Sequence, residues 1–137
     1  MPHATASAQA STIELGRRVT LEKTMTVLLV GVGGQGTILA GNILAMCASE
    51  AGLDVKVSEI HGMSQRGGSV STIIRMGQRV DSMICDPGCA DVLVAFEAME
   101  ALRNQQFLRE GGRLFVNEET ITPVPVNIGN ATMPQKD

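Results

Sequence analysis

Two loops carry most of the residues with chemistry to offer. The first, GVGGQG, sets Gly31, Gly33 and Gly36 at G-x-G-x-x-G spacing, with Gly34 and Gln35 between them. Glycines so spaced let the backbone approach a ligand closely, and the free N–H groups of a helix starting behind them favour an anion. The second, EIHGMSQRGGS, runs from Glu59 to Ser69 and gathers His61, Gly62, Met63, Gln65, Arg66, Gly67 and Gly68. Arg66 brings a planar fork of donors suited to phosphate or carboxylate. Gly67 and Gly68 supply a backbone able to hinge or to lie flat against a partner. His61, one of two histidines beside His3, has no evident acid other than Glu59 and reads as a hydrogen-bonding loop residue rather than a general base.

The three cysteines, Cys47, Cys85 and Cys89, cannot all pair within one chain. Cys47 falls in a helical pattern and reads as a small core residue. CDPGC sets Cys85 and Cys89 four positions apart. An iron–sulfur cluster usually takes four thiolates and a structural zinc four ligands. With no further ligands nearby, two free loop thiols are expected and no metal site is assigned.

The elements that must position these loops follow from hydrophobic period. TVLLV, Thr26 to Val30, is a continuous β-branched and leucine run that reads as a strand buried on both faces. From Thr37 the period lengthens: Leu39, Ile43, Met46 and Cys47 form one helical stripe, and Ala40, Leu44, Ala48 and Ala51 a second. A helix apolar on two sides is expected to pack between layers, and Gly52 stands where a left-handed stop is wanted. LDVKVSEI alternates as the next strand, so strand, helix and strand make a βαβ unit with parallel strands. VSTIIRMG is a third strand, and the loop before it is too short for a crossover, which predicts an antiparallel neighbour and a mixed sheet. ADVLVAF, the helical EAMEALRNQQFL with Met99, Leu102 and Leu108 inward, and GGRLFVN follow. Phe96, Phe107 and Phe115 fall at core positions, and PVNI in the proline-rich tail reads as an edge strand.

Composition narrows the function. The chain has 137 residues and a net charge of -3, with both signs interspersed and neither Trp nor Tyr, so no nucleic-acid face is expected. No apolar run approaches the roughly 18 residues of a membrane span, and a cytoplasmic location is expected. Residues 1–24 are small, polar and aperiodic and read as a flexible leader, with one domain over 25–137. On that length a second, substrate-binding domain is not expected. Glu59 stands about where a dinucleotide site wants an acid for the ribose hydroxyls, roughly 20 residues beyond the glycines. A freestanding NAD(P)-binding module using Gly31, Gly33, Gly36 and Glu59 is therefore one reading. No hydride-accepting or acid–base constellation accompanies it, and the same glycines also serve a tight turn that packs helix against sheet.

LLVGVGGQGTILAGNILA, followed by DVKVSEIHGMSQRGGSVSTIIRMG and ADVLVAFEAMEALR, closely resembles the gamma-type module of the 2-oxoacid:ferredoxin oxidoreductases, and within it the small subunit of the indolepyruvate-oxidising branch. The likeness runs from about Thr26 to Asn117, with EIHGMSQRGGSV its most specific part. It implies an α/β, Rossmann-like three-layer domain with a mostly parallel, mixed sheet that is not an NAD site. It further implies a small subunit supporting coenzyme A-dependent oxidative decarboxylation of arylpyruvates. No cofactor is expected on this chain. Thiamine pyrophosphate, magnesium and the iron–sulfur clusters belong to a large alpha-type partner, coenzyme A is the co-substrate, and electrons pass to ferredoxin through the complex. Carried onto this chain, the ligand- or partner-facing residues are Gly31, Gly33, Gly34, Gln35 and Gly36 in the first loop. In the second they are His61, Gly62, Met63, Gln65, Arg66, Gly67 and Gly68. No catalytic residue is assigned. The family pattern continues beyond residue 137, so the domain reads as shortened at its C-terminus, and Asp81-Ser82-Met83 replaces a Ser-Pro pair. A non-catalytic scaffold that docks on the large subunit is thus a third reading.

Overall fold

Buried strand sequences set the architecture. In a computed structural model, residues 20–61 and 68–118 are described. β1 (Met25–Val32) is buried along nearly its whole length. β2 (Asp54–His61), β3 (Ser69–Gly77), β4 (Ala90–Ala95) and β5 (Leu108–Val116) complete one sheet in the order β2-β3-β1-β4-β5. β1, β4 and β5 pair in parallel, while β3 runs antiparallel to both of its neighbours, β1 and β2. Four of the five strands thus share one direction, as a mostly parallel mixed sheet requires.

The antiparallel third strand is as the short loop predicts, but its place corrects the βαβ expectation. β1 and β2 are parallel yet not adjacent, because β3 lies between them over its full length, with Val32 opposite Ser69 and His61 opposite Val70. A direct chain reversal lets β3 pair with both strands at once, which a crossover would not allow.

Two helices cover the two faces. α1 (Thr37–Glu50) ends as the sequence predicts: Gly52 has φ 92°, Leu53 N–H donates to Ala48 O (3.1 Å) and Gly52 N–H to Ser49 O (3.0 Å). This pair of bonds around a left-handed glycine satisfies carbonyls that the helix end would otherwise leave unpaired. α1 packs on a cluster of Val27, Leu29, Ala48, Leu53, Ile74 and Met76, joined by Ala40 and Leu44. Leu21 also packs there, so the last residues before β1 already touch the core. Gly41 makes the close approach possible, since a Cβ added there would stand 2.6 Å from Thr72 Cγ2.

α2 (Ala98–Asn104) and a 3₁₀ turn (Gln105–Phe107) lie on the opposite face, over Leu28, Val30, Ile73, Leu93, Ala95 and Ala101. Each fully buried aliphatic of this size contributes about 1.5–3 kcal/mol. The result is three layers, helix on sheet on helix.

Four expectations are corrected. α1's first stripe does not pack: Leu39, Ile43 and Met46 are 64%, 53% and 64% exposed, because only the second stripe faces the sheet. The helix after β4 stops at Asn104, since the chain tightens into the 3₁₀ turn and Leu108 already pairs with Ala90. Phe115 is exposed, because β5 is an edge strand with little packed on it. Cys85 and Cys89 are not free thiols. They are joined as a disulfide with Cα atoms 5.3 Å apart, brought together by a turn in which Gly88 has φ 80° and Cys89 N–H donates to Asp86 O (2.9 Å). Closing so short a loop stabilises by only about 2 kcal/mol on chain-entropy grounds, under half of what a 100-residue loop gains. The PVNI strand lies outside the described residues. No helix among the described residues is long and apolar enough to cross a membrane.

Candidate functional site

Parallel strands bring their carboxyl ends to one rim, and the order of this sheet decides what meets there. β1 runs into the glycine loop, β4 into Phe96 and Glu97, and β3 starts at the same rim from Gly68. Gly33 N–H donates to Gly68 O (2.9 Å), so the glycine loop and the end of the second loop are hydrogen-bonded neighbours. The glycine loop and the two ends of the second loop therefore share one edge. His61 ends β2 at this rim. Gly62, Met63, Gln65, Arg66 and Gly67 lie outside the described residues.

Each glycine of the first loop has a separate reason. Gly31 faces into the turn, where a Cβ would stand 2.7 Å from Thr37 Oγ1 and 2.9 Å from Gln35 Oε1. Gly34 and Gly36 take left-handed conformations, φ 94° and 84°, which side chains rarely adopt. Gly36 also caps α1 without a side chain, its carbonyl accepting from Ala40 N–H (2.9 Å). Gly36 thus offers the first N–H groups of the helix no side-chain acceptor, at a terminus that favours negative charge.

Gln35 is the loop's lock. Its Oε1 accepts from Val32 N–H (2.7 Å) and its Nε2 donates to Phe96 O (3.2 Å). This side chain bridges the carboxyl ends of β1 and β4, the adjacent parallel strands whose connections leave toward opposite faces. In open α/β sheets that crevice is where a dinucleotide lies. Here the Gln35 side chain spans it between Val32 and Phe96.

Glu59 is the second obstacle to a dinucleotide. It pairs with Thr72, which pairs with Leu29, so β3 separates it from β1. At about 4.8 Å per strand it stands roughly 10 Å away from β1. The acid that spacing places beside the glycines belongs to the far edge of the sheet.

An open cleft of about 380 Å³ lies on the side of α1, lined by Val32, Gly33, Gly34, Gly36, Thr37, Ile38 and Val70. A Cβ at Gly34 or Gly36 would meet nothing within 4 Å. Thr37 is buried, and its Oγ1 has no hydrogen-bond partner among the described residues.

Two acids behind the rim escape sequence reading. Glu97 and Glu100 are each 1% exposed. Glu97 caps α2, its Oε2 accepting from Glu100 N–H (2.8 Å). Glu100 accepts from Ser69 Oγ (2.6 Å) through Oε2 and pairs with Arg103 through Oε1. The first residue of β3 is thereby fastened to α2, and with it the exit of the second loop. The capping pattern, an acid three residues before a second acid, was the available signal.

Among the described residues no group of three or more His, Cys, Asp or Glu could hold a metal ion, and the two loop sulfurs are bonded to each other. The donor set of the described residues does not fit an iron–sulfur cluster, which usually takes four thiolates.

The pyruvate ferredoxin/flavodoxin oxidoreductase family profile matches residues 26–135. The chain is 45% identical over 115 residues to indolepyruvate oxidoreductase subunit IorB of Thermococcus kodakarensis, covering 84% of this chain and 57% of that protein. It is 46% identical over 112 residues to the subunit of the same name from Pyrococcus horikoshii, covering 82% and 55%. The chain thus spans little more than half the length of these curated relatives. Among solved structures, the gamma subunit of a keto/oxoacid ferredoxin oxidoreductase from Geobacter sulfurreducens superposes with a TM-score of 0.56 at 31% identity, covering 68% of this chain and 50% of that one.

Proposed function

The chain belongs to the pyruvate ferredoxin/flavodoxin oxidoreductase family, and from that premise we propose that it is the small, gamma-type module of a cytoplasmic complex oxidising indolepyruvate and related arylpyruvates. The net reaction releases carbon dioxide from the 2-oxoacid, joins the remaining acyl group to coenzyme A as a thioester, and passes two electrons to ferredoxin. In this reading thiamine pyrophosphate with magnesium supplies the decarboxylation and iron–sulfur clusters the electron path, all on a large alpha-type partner.

The observation that carries the reading is the junction of the two loops, Gly33 N–H on Gly68 O. It sets the glycine loop beside Gly68, where the second loop re-enters the sheet, with an open cleft next to them. In this role Gly31, Gly33, Gly34, Gln35 and Gly36 hold the rim's shape and present helix N–H groups. Arg66, with His61, Gly62, Met63, Gln65, Gly67 and Gly68, faces the partner's active-site cleft and meets the phosphates of coenzyme A. The uncovered Leu39, Ile43 and Met46 give α1 an apolar outer face starting one turn from the glycine loop. Exposed apolar surface in one contiguous stripe is the mark of a protein contact, and its occupant in this reading is the large subunit.

The test is Arg66→Ala in the assembled enzyme, with the apparent affinity for coenzyme A measured. Losing a charge-assisted contact to phosphate is expected to weaken it about tenfold or more. An unchanged affinity removes the phosphate role.

A further inference from the structure

The connection from Gly77 to Ala90 holds chemistry that the rim does not use. Cys85 and Cys89 are half-buried and bonded to one another, while Asp86, Pro87 and Gly88 between them are exposed. Their side chains pack on the cluster that includes Leu28, Ile73 and Leu93. Cys85 also lines a small apolar cleft of about 90 Å³ with Ile60, Ile73 and Phe107. Gly88 N–H donates to Gln106 O (3.0 Å), which ties the turn to the 3₁₀ segment after α2.

Three observations set this pair apart from a structural staple. The 5.3 Å between Cα atoms lies within the range that a disulfide spans without backbone movement. The approach is made by the turn's own hydrogen bonds, Cys89 N–H to Asp86 O and Gly88 N–H to Gln106 O, so two thiols would stand ready to close. The loop is short, so its closure constrains the unfolded chain by under half as much as a long-loop disulfide does. A pair pre-positioned, reachable from solvent and closing only a short loop is suited to cycling rather than to permanence.

We propose that Cys85 and Cys89 form a thiol–disulfide exchange site whose co-reactant is a low-molecular-weight disulfide and its thiol. In the closing direction one cysteine thiolate attacks a sulfur of the small disulfide, forming a mixed disulfide and releasing one small thiolate. The second cysteine thiolate then attacks the protein sulfur of that mixed disulfide, closing the Cys85–Cys89 bond and releasing the other. The protein dithiol gives up two electrons and two protons, which appear in two molecules of small thiol. The reverse sequence opens the bond.

The experiment equilibrates the full chain in buffers of stepped reduced-to-oxidised glutathione ratio, quenches with acid, alkylates and weighs the tryptic peptides. Val80–Arg103 carries both cysteines, and Thr24–Lys56 carries Cys47 as the internal control. The expected result is a reversible passage of Val80–Arg103 from the doubly alkylated form to one lighter by two hydrogens than the dithiol peptide. A peptide that stays doubly alkylated at every ratio, stays closed at the most reducing ratio, or holds glutathione without closing overturns the proposal. Cys85→Ser and Cys89→Ser each remove the resolving thiol and are expected to trap one glutathione on the remaining cysteine. Failure of both variants to do so contradicts the exchange step.

Discussion

The two helices meet the same sheet in opposite ways. α2 is only seven residues long, yet Glu97 caps it, Glu100 ties it to Ser69 at the start of β3, and the Cys85–Cys89 turn is fastened to the segment behind it. α1 is twice as long, carries no side-chain cap, sits on β3 through the bare backbone of Gly41, and leaves Leu39, Ile43 and Met46 uncovered. One helix is anchored by polar contacts and complete within the chain. The other is seated by shape and offers its outer face to something else. The side of the molecule that supplies the glycine rim is also the side left open.

That contrast can be broken at several places. If α1 is held by close approach, Gly41→Leu forces a side chain into Thr72 and is expected to cost about 3 kcal/mol or more, although leucine is the better helix former. An unchanged midpoint in urea unfolding would show that the helix does not sit on β3 in this way. If α2 is held by its cap, Glu97→Ala is expected to lose about 1–2 kcal/mol in the same measurement. Ser69→Ala removes the bond that fastens β3 to Glu100 and is expected to lose about 1 kcal/mol; a null result would mean the rim is positioned by the backbone alone. The smallest effect on stability is expected at the exposed stripe, where Ile43→Lys should change unfolding by less than about 0.5 kcal/mol. The same substitution should abolish capture of the large subunit, and capture at the parent level would mean that this stripe is not the interface.

Much of this was legible in local sequence. Continuous apolar runs located β1 and β4, the change of period located α1, and Gly52 marked its end, because each signal arises within a few residues of chain. The loop before β3 was too short for a crossover, so its antiparallel direction was legible as well. Where β3 would insert was not, since pairing with β1 along one side and β2 along the other is settled by long-range contacts that leave no local pattern. This one choice undoes the apparent role of Glu59, which spacing places beside the glycines and pairing places beyond Thr72. Period likewise reports that a helix has two apolar sides without saying which is covered, and so Leu39, Ile43 and Met46 were read as packed. Glu97 and Glu100 are buried although acids are usually exposed; Ser69 and Arg103 reach Glu100, and Glu97 accepts from the Glu100 N–H, through contacts that the folded chain creates. The pairing of Cys85 with Cys89 depends on the turn at Gly88, whose left-handed backbone sequence alone did not reveal.

The central claim is that this chain works as the small module of an arylpyruvate-oxidising complex. Its most direct test is a native pull-down of the chain from its source cells, with the eluate assayed for viologen reduction that requires both indolepyruvate and coenzyme A. The account predicts recovery of a large thiamine- and iron–sulfur-containing subunit together with that activity. An eluate without such a subunit and without the activity would contradict it.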